Sequence, residues 1–208
     1  MSRLAEILAT AAKLFSEQGY DGTTIRDLAE ALHVQSGSLY AHISSKDELL
    51  WRIVQEVDNI IVASVEGVPL DLPPEEQVKQ LVQSLLALVK EARPYSRVYL
   101  QEWKSLSAER KEQSRAARRV YLTRLQKAIE AGVAQGIFWV EDARLAALFI
   151  ITAINAIFQW FHPEGPLSLE EISEQYTLYI LRTLGSVGEM ADRYRGLVQR
   201  VVQEKESI

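Results

Sequence analysis

Apolar residues recur along almost the entire chain at intervals of three and four, and no run of strict alternation is long enough to argue for a strand. That period admits one fold class, all-α. The chemistry that starts and stops helices divides it. Ser2 caps a first helix with Leu4, Ile7, Leu8, Ala11, Leu14 and Phe15 on one face, and Gly19 ends it as a residue that tolerates a left-handed conformation. Thr24, with Asp27 three residues on, forms a variant capping box for a second helix of about two turns, whose inner face is Ile25, Leu28, Ala29 and Leu32. A tight connection, "LHV", leads to Gln35 and Ser36 as the polar start of a third helix. Ser45 with Glu48 then caps a longer one containing Leu49, Leu50, Ile53, Val54 and Val57.

Composition changes at "EGVPLDLPPEE", residues 66–76, where three prolines stop one helix and launch another, and a boundary is expected there. Beyond it the pattern predicts a helix over 75–92, a break at Pro94, an aromatic segment with Tyr95, Tyr99 and Trp103, and a long basic helix ending at Gly136. The next helix begins near Asp142. "HPEGPLSLEEI" ends it and recaps another through Ser168 and Glu171, and a last helix is expected over 190–202. The run "LAALFIITAINAIFQWF", residues 145–161, is shorter than the roughly 20 residues of a membrane span and carries Asn155 and Gln159, so it reads as a buried helix and no membrane partner is expected.

Several function classes drop out. The chain has no cysteine, which excludes disulfides, thiolate metal sites and cysteine nucleophiles. Its three histidines, His33, His42 and His162, have no metal-ligand spacing. No GxSxG, GxGxxG or P-loop is present, so no enzyme, catalytic residue, metal or cofactor is expected. The N-terminal "MSRLAEILATAAKLF" places an acid within the apolar pattern and lacks a small-residue cleavage site; it reads as a folded helix, with a cytoplasmic location as the default.

The stretch "VQSGSLYAHISSKDELL", residues 34–50, puts small and polar residues where an amphipathic helix ordinarily hides apolar ones. Three short helices, the second and third joined by a tight turn, fit a helix-turn-helix module. Its second helix enters the DNA major groove by its N-terminal end, where small side chains permit close approach. Gln35, Ser36 and Ser38 are then placed to reach base edges or phosphates, Gly37 leaves room for the backbone, Tyr40, His42 and Lys46 reach phosphates, and Leu39 and Ile43 anchor the helix inward. Against this, residues 1–50 carry more acids than bases and the chain has net charge -5, so the binding expected is modest, salt-sensitive and made specific by a dimer. A helical protein-interaction module would account for the helices and the acidity, but not for the small polar surface of residues 35–38.

The text "TTIRDLAEALHVQSGSLYAHISSKDELL" resembles the DNA-binding signature of the TetR-type one-component transcriptional regulators. The resemblance implies a DNA-binding domain over residues 1–48 and a helical ligand-binding and dimerisation domain over 49–208. It makes Thr24 and Arg26 phosphate or groove contacts, Gln35, Ser36, Gly37 and Ser38 the reading edge, and Tyr40, His42 and Lys46 backbone clamps. His33 stands where the family usually has glycine, and Ile43 where it usually has phenylalanine. The implied partners are double-stranded operator DNA, a small-molecule effector and a second copy of the chain, paired through the helices at 142–161 and 169–184.

Pocket candidates are Tyr99, Trp103, Phe149, Asn155, Phe158, Gln159 and Trp160, with Asn155 and Gln159 expected on one face of an apolar helix. The segment "FQWFHPEGPLSLEEISEQY" is similar to the corresponding part of TetR-type repressors that respond to acyl-CoA thioesters. Arg115 and Arg119, with Arg118, Arg124 and Lys127, would then offer charge to CoA phosphates. A fatty or aromatic acyl-CoA is thus the expected effector. The alternative is a regulator of efflux sensing a hydrophobic cation, for which Glu102 is the candidate acid.

Overall fold

The computed structural model describes residues 2–91 and 93–185. Among them there are helices and turns but no strand: α1 (Arg3–Gln18), α2 (Ile25–Ala31), α3 (Ser36–Leu39), α4 (Lys46–Glu66), α5 (Pro74–Glu91), α6 (Arg93–Gln101) with a following 3-10 turn (Glu102–Ser105), α7 (Ala108–Ala134), α8 (Ala143–Trp160) and α9 (Leu169–Gly185). The all-α expectation holds. The expected helix over 190–202 lies outside the described residues.

Local chemistry sets most of the boundaries. The Ser2 hydroxyl accepts from the N–H of Ala5, and Thr24 and Asp27 close a full capping box. Ser168 and Glu171 form a second, with the Glu171 carboxylate accepting from both the N–H and the hydroxyl of Ser168. Ser45 caps α4, but Glu48 turns its carboxylate away from the cap to Arg52 and Arg110. Gly19 has φ 79 and ψ 157, outside the left-handed helical well and in a region that glycine alone occupies readily. His33, at φ 56, takes the positive-φ turn position between α2 and α3 without glycine.

One apolar core runs from Ile7 and Phe15 through Leu49, Ile53, Leu81 and Leu125 to Ile150 and Ile180. Leu39 and Ile43 are both buried in it, as their anchoring role requires. The helix α4 packs against α1 at one end and against α6 and α7 along its length, so it belongs to both halves of the molecule. The compositional break at 66–76 is therefore the α4–α5 loop, and α4 runs unbroken up to it. Gln77 donates from its side chain to the carbonyls of Leu70 and Leu72, and Arg124 reaches the carbonyls of Val68 and Pro69, holding that loop against α7.

At the far end, Phe138 lies between two glycines. A Cβ on Gly132 would fall on the Phe138 ring, and one on Gly185 would meet both that ring and the Ile137 carbonyl. The N–H of Trp139 donates to the Leu184 carbonyl at 2.6 Å, tying the turn after α7 to the end of α9.

The helix α8 is apolar and long enough to cross a membrane by length and composition, with a mean hydropathy of 1.5. Its inner face, Ala147, Ile150, Ile154 and Ile157, is core, whereas Leu145, Leu148, Phe149 and Trp160 are exposed, as are Leu178 and Tyr179 of α9. The helix is thus buried on one side only in a single chain, and one apolar face stays open.

Candidate nucleic-acid interface and effector cavity

The α2–turn–α3 unit turns its polar residues outward. Arg26, Gln35, Gly37, Ser38, Tyr40 and His42 are exposed and Ser36 is half-buried. Among the described residues, none of the side chains of Arg26, Gln35, Ser36, Ser38, Tyr40 or His42 makes a hydrogen bond within the chain, so their donors and acceptors face outward free. A Cβ at Gly37 would meet nothing within 4 Å. The fold does not need glycine there. Thr24 is exposed as well and also caps α2: its hydroxyl is shared with Asp27, whose carboxyl is held below its ordinary range by the backbone and hydroxyl hydrogen bonds of Thr24.

Lys46 departs from expectation. Its ammonium donates to the carbonyls of Tyr20 and Thr23 at 2.9 and 3.0 Å and lies 4.2 Å over the Tyr20 ring. Two of its three N–H donors therefore serve the α1–α2 turn rather than reaching outward. The N–H of Tyr20 in turn donates to Glu102 at 3.1 Å, and the other Glu102 oxygen accepts from Ser105. Glu102 thus works as a buried strut between the halves, not as a pocket acid.

In the larger half, a cavity of about 150 Å³ is lined by Ile61 of α4, Leu85 of α5, Tyr99 of α6, Arg118, Tyr121 and Leu122 of α7, and Leu148, Ile151 and Asn155 of α8. Its polar end is organised by α7. The Arg118 guanidinium lies 3.7 Å from the Trp103 ring centroid and 4.5 Å from that of Tyr99. Its Nε donates to the Tyr99 hydroxyl, which donates to Asp58; the Ser114 hydroxyl donates to the same Asp58 oxygen, each at 2.9 Å. Burial raises the Asp58 carboxyl above its ordinary value despite the opposing hydrogen bonds from Ser114 and Tyr99 and the charge of Arg118. Burial likewise pushes the Tyr99 phenol up to about 12, with Arg118 opposing. Tyr121 donates to the Leu81 carbonyl at 2.5 Å and is fully committed to the scaffold.

Of the expected pocket residues, Tyr99 and Asn155 line the cavity and Trp103 backs Arg118. Phe158 is half-buried against the core. Phe149 is 58% exposed and points away, beside Leu145 and Ile180. Gln159 is exposed despite its four-residue spacing from Asn155, and Trp160 is exposed over Tyr176. Arg115 and Arg119 are exposed and share Glu112; Arg115 lies three residues before Arg118 on α7 and Arg119 directly follows it. Asp58 and Ser114 were not foreseen. A readable signal exists for Asp58, an acid lying between Val54 and Ile61 on the apolar face of α4.

The α4–α7 pair joins the two halves: Arg110 of α7 bridges Asp47 and Glu48 in the first turn of α4, Ser114 meets Asp58, and farther on Tyr121 and Leu122 line the cavity with Ile61.

A small outward-facing polar helix held in a trihelical unit, on a helical body with its own cavity, defines the class of helix-turn-helix regulators. Comparison makes that specific. Residues 7–53 match the bacterial regulatory proteins of the tetR family, and residues 71–184 match the tetracyclin repressor-like C-terminal domain. The chain is similar to KstR2, an HTH-type transcriptional repressor of Rhodococcus jostii, with 29% identity covering 88% of this chain and 92% of that one. It resembles the solved TetR family regulator PfmR from Thermus thermophilus, with TM-score 0.79 and 35% identity over 85% of this chain and 97% of that one. It also resembles AibR, solved in complex with isovaleryl coenzyme A and operator DNA, with TM-score 0.78 and 25% identity over 88% and 98% of the two chains. The chain belongs to the TetR family and is a transcriptional regulator of that type.

Proposed function

We propose that this protein is a cytoplasmic repressor that binds a palindromic operator as a homodimer and is released from it by a fatty or aromatic acyl-CoA. Residues 1–48 bind DNA in this reading, and 49–208 bind effector and partner. The exposed apolar faces of α8 and α9 pair with those of a second copy, setting two recognition helices about 34–36 Å apart for successive major grooves. Gln35, Ser36, Gly37 and Ser38 form the reading edge, flanked by Arg26, Tyr40 and His42, while Lys46 braces the turn behind them.

The observation that carries the effector reading is the cavity ending on Arg118, with exposed Arg115 and Arg119 flanking it on the same helix. An apolar chamber with cations at its rim suits an acyl chain attached to phosphates. The isovaleryl coenzyme A named for AibR is of that chemistry. A hydrophobic cation is disfavoured, because Glu102 is taken by Tyr20 and Ser105, and Arg118 faces the cavity.

Release follows from linkage. A ligand that prefers the dimer state unable to span the operator displaces DNA, and near-complete release needs a preference of about 5.5 kcal/mol. The α4–α7 pair supplies the path, since Arg110 grips the first turn of α4 about 12 Å along α7 from Arg118. The test is fluorescence anisotropy on DNA from upstream of the protein's own gene against scrambled DNA, with and without acyl-CoA thioesters. Specific binding released by a thioester is the expected result. Specific binding indifferent to every thioester removes the effector assignment, and no preference over scrambled DNA removes operator recognition.

A further inference from the structure

The polar end of the cavity is electrically balanced, and that balance restricts what it accepts. Arg118 keeps its charge under all ordinary conditions. Its Nε is taken by Tyr99 and its plane is packed against Trp103. Its Nη2 is buried and has no hydrogen-bond partner among the described residues. A buried N–H of a cation is costly to leave without an acceptor, so the group is made for one. Across the cavity on α8, the half-buried Asn155 side chain also makes no hydrogen bond among the described residues.

The acceptor's charge is set by Asp58. Its carboxylate is joined to Arg118 through the Tyr99 hydroxyl and is held by Ser114, so the pair sums to zero formal charge. Among the described residues no other cation lines the cavity, whose remaining walls are Ile61, Leu85, Tyr121, Leu122, Leu148 and Ile151. A ligand carboxylate brought to Arg118 would leave one uncompensated negative charge among these side chains. A neutral carbonyl oxygen would satisfy Nη2 and leave the balance intact.

We infer that Arg118, with Asn155, reads the neutral carbonyl of the effector's acyl group and rejects the corresponding free acid, and that Asp58 is the positioning residue that sets this preference. The inference rests on the acyl-CoA reading and deepens it. With the thioester carbonyl at Arg118, the acyl chain lies along Ile61 and Leu85, and the CoA phosphates leave on the side of Arg115 and Arg119.

The experiment uses the full chain and follows ligand binding by quenching of tryptophan fluorescence, with Trp103 as the local reporter. The probes are butanoyl-, octanoyl- and palmitoyl-CoA, CoA alone, the three free acids, and the matching N-acetylcysteamine thioesters, which keep the carbonyl but lack phosphates. Thioesters of both kinds should bind at least about tenfold more tightly than the acid of the same chain. Asp58→Asn keeps an acceptor for Tyr99 and Ser114 but removes the counter-charge; it should tighten the acid and shrink or reverse that ratio. Arg118→Gln should weaken the N-acetylcysteamine thioesters by roughly tenfold and leave CoA alone unchanged. Should Arg118→Gln fail to fold, Asn155→Leu tests the second donor by the same loss.

Equal binding of acid and N-acetylcysteamine thioester, or an unchanged ratio in Asp58→Asn, would overturn the carbonyl reading while leaving an acyl-CoA effector standing if CoA thioesters still bind. Failure of every CoA thioester to bind would overturn both.

Discussion

The proposed DNA-facing edge and the proposed effector cavity solve opposite problems with similar residues. At the edge, Gln35, Ser38, Tyr40 and His42 keep their polar groups outward and free of the chain. In the cavity, Tyr99, Ser114, Asp58 and Arg118 are joined in a chain of hydrogen bonds that leaves one buried nitrogen, Nη2 of Arg118, without a partner among the described residues. The edge is specific only when something else docks on it, whereas the cavity is already shaped for a particular chemistry. Substitution should therefore separate binding from stability at the edge and couple them inside.

The largest effect is expected at neither site but at the exposed face of α8 and α9 proposed to pair two copies. Phe149→Glu places a carboxylate on an exposed position of one chain that the dimer would bury. It should weaken dimerisation by about 3–5 kcal/mol with little change in the folding of the single chain, as read by sedimentation velocity over a dilution series. A dimer that survives would move the interface elsewhere. At the reading edge, Gly37→Glu meets open space in the free protein, so the unfolding midpoint should hold while operator affinity drops by about 1–3 kcal/mol, roughly tenfold or more. An unchanged affinity would place Gly37 off the DNA.

Behind the edge the two properties should move together. Lys46→Met keeps the apolar stem but strands the Tyr20 and Thr23 carbonyls, and urea denaturation should show a loss of about 1–3 kcal/mol with weaker operator binding following from it. Intact stability with lost binding would return Lys46 to the phosphate backbone.

Inside, the raised Asp58 carboxyl gives a pH signature. Between the unfolded value near 3.8 and its higher native value, the folded protein holds a proton the unfolded chain has lost, so this group's contribution to stability falls as pH rises through that window. Asp58→Asn should remove that slope in urea midpoints taken from about pH 4 to about pH 7. Parallel curves for the two proteins would show that the carboxyl is not desolvated. The smallest effect is at His33, where glycine relieves the positive φ but loosens the unfolded chain; His33→Gly should gain no more than about 1 kcal/mol by thermal unfolding.

What could be read from the residues follows the same division. The first half is governed by local chemistry: caps at Ser2, Thr24 and Ser45, a turn at His33 and a helix too polar to be buried are all visible within a few residues. The bracing contacts of Lys46 could not be read in the sequence because its partners, Tyr20 and Thr23, lie 26 and 23 residues away and accept through backbone carbonyls, which leave no mark in a side-chain pattern. The second half depends on how long helices rotate against one another. With apolar residues nearly all round α8, nothing in its sequence chose between Asn155 and Gln159; packing against α5, α6, α7 and α9 did, turning Asn155 to the cavity and Gln159 to the outside. Asp58 and Glu102 were legible as acids in apolar surroundings, but their partners were not.

The Phe138 ring seated between Gly132 and Gly185 has a consequence for how such a protein can change over generations. Neither glycine can acquire a side chain while the ring stays, and removing the ring alone leaves a cavity at the cost such cavities carry. At 132 substitution is open only as a paired exchange, a larger residue entering there as a smaller one enters at 138, whereas 185 stays closed by the Ile137 carbonyl whatever stands at 138. The lining of the cavity, two turns and more away along α7, is under no such bond, so the preference for one effector can drift residue by residue while the junction of α7 and α9 stays as it is.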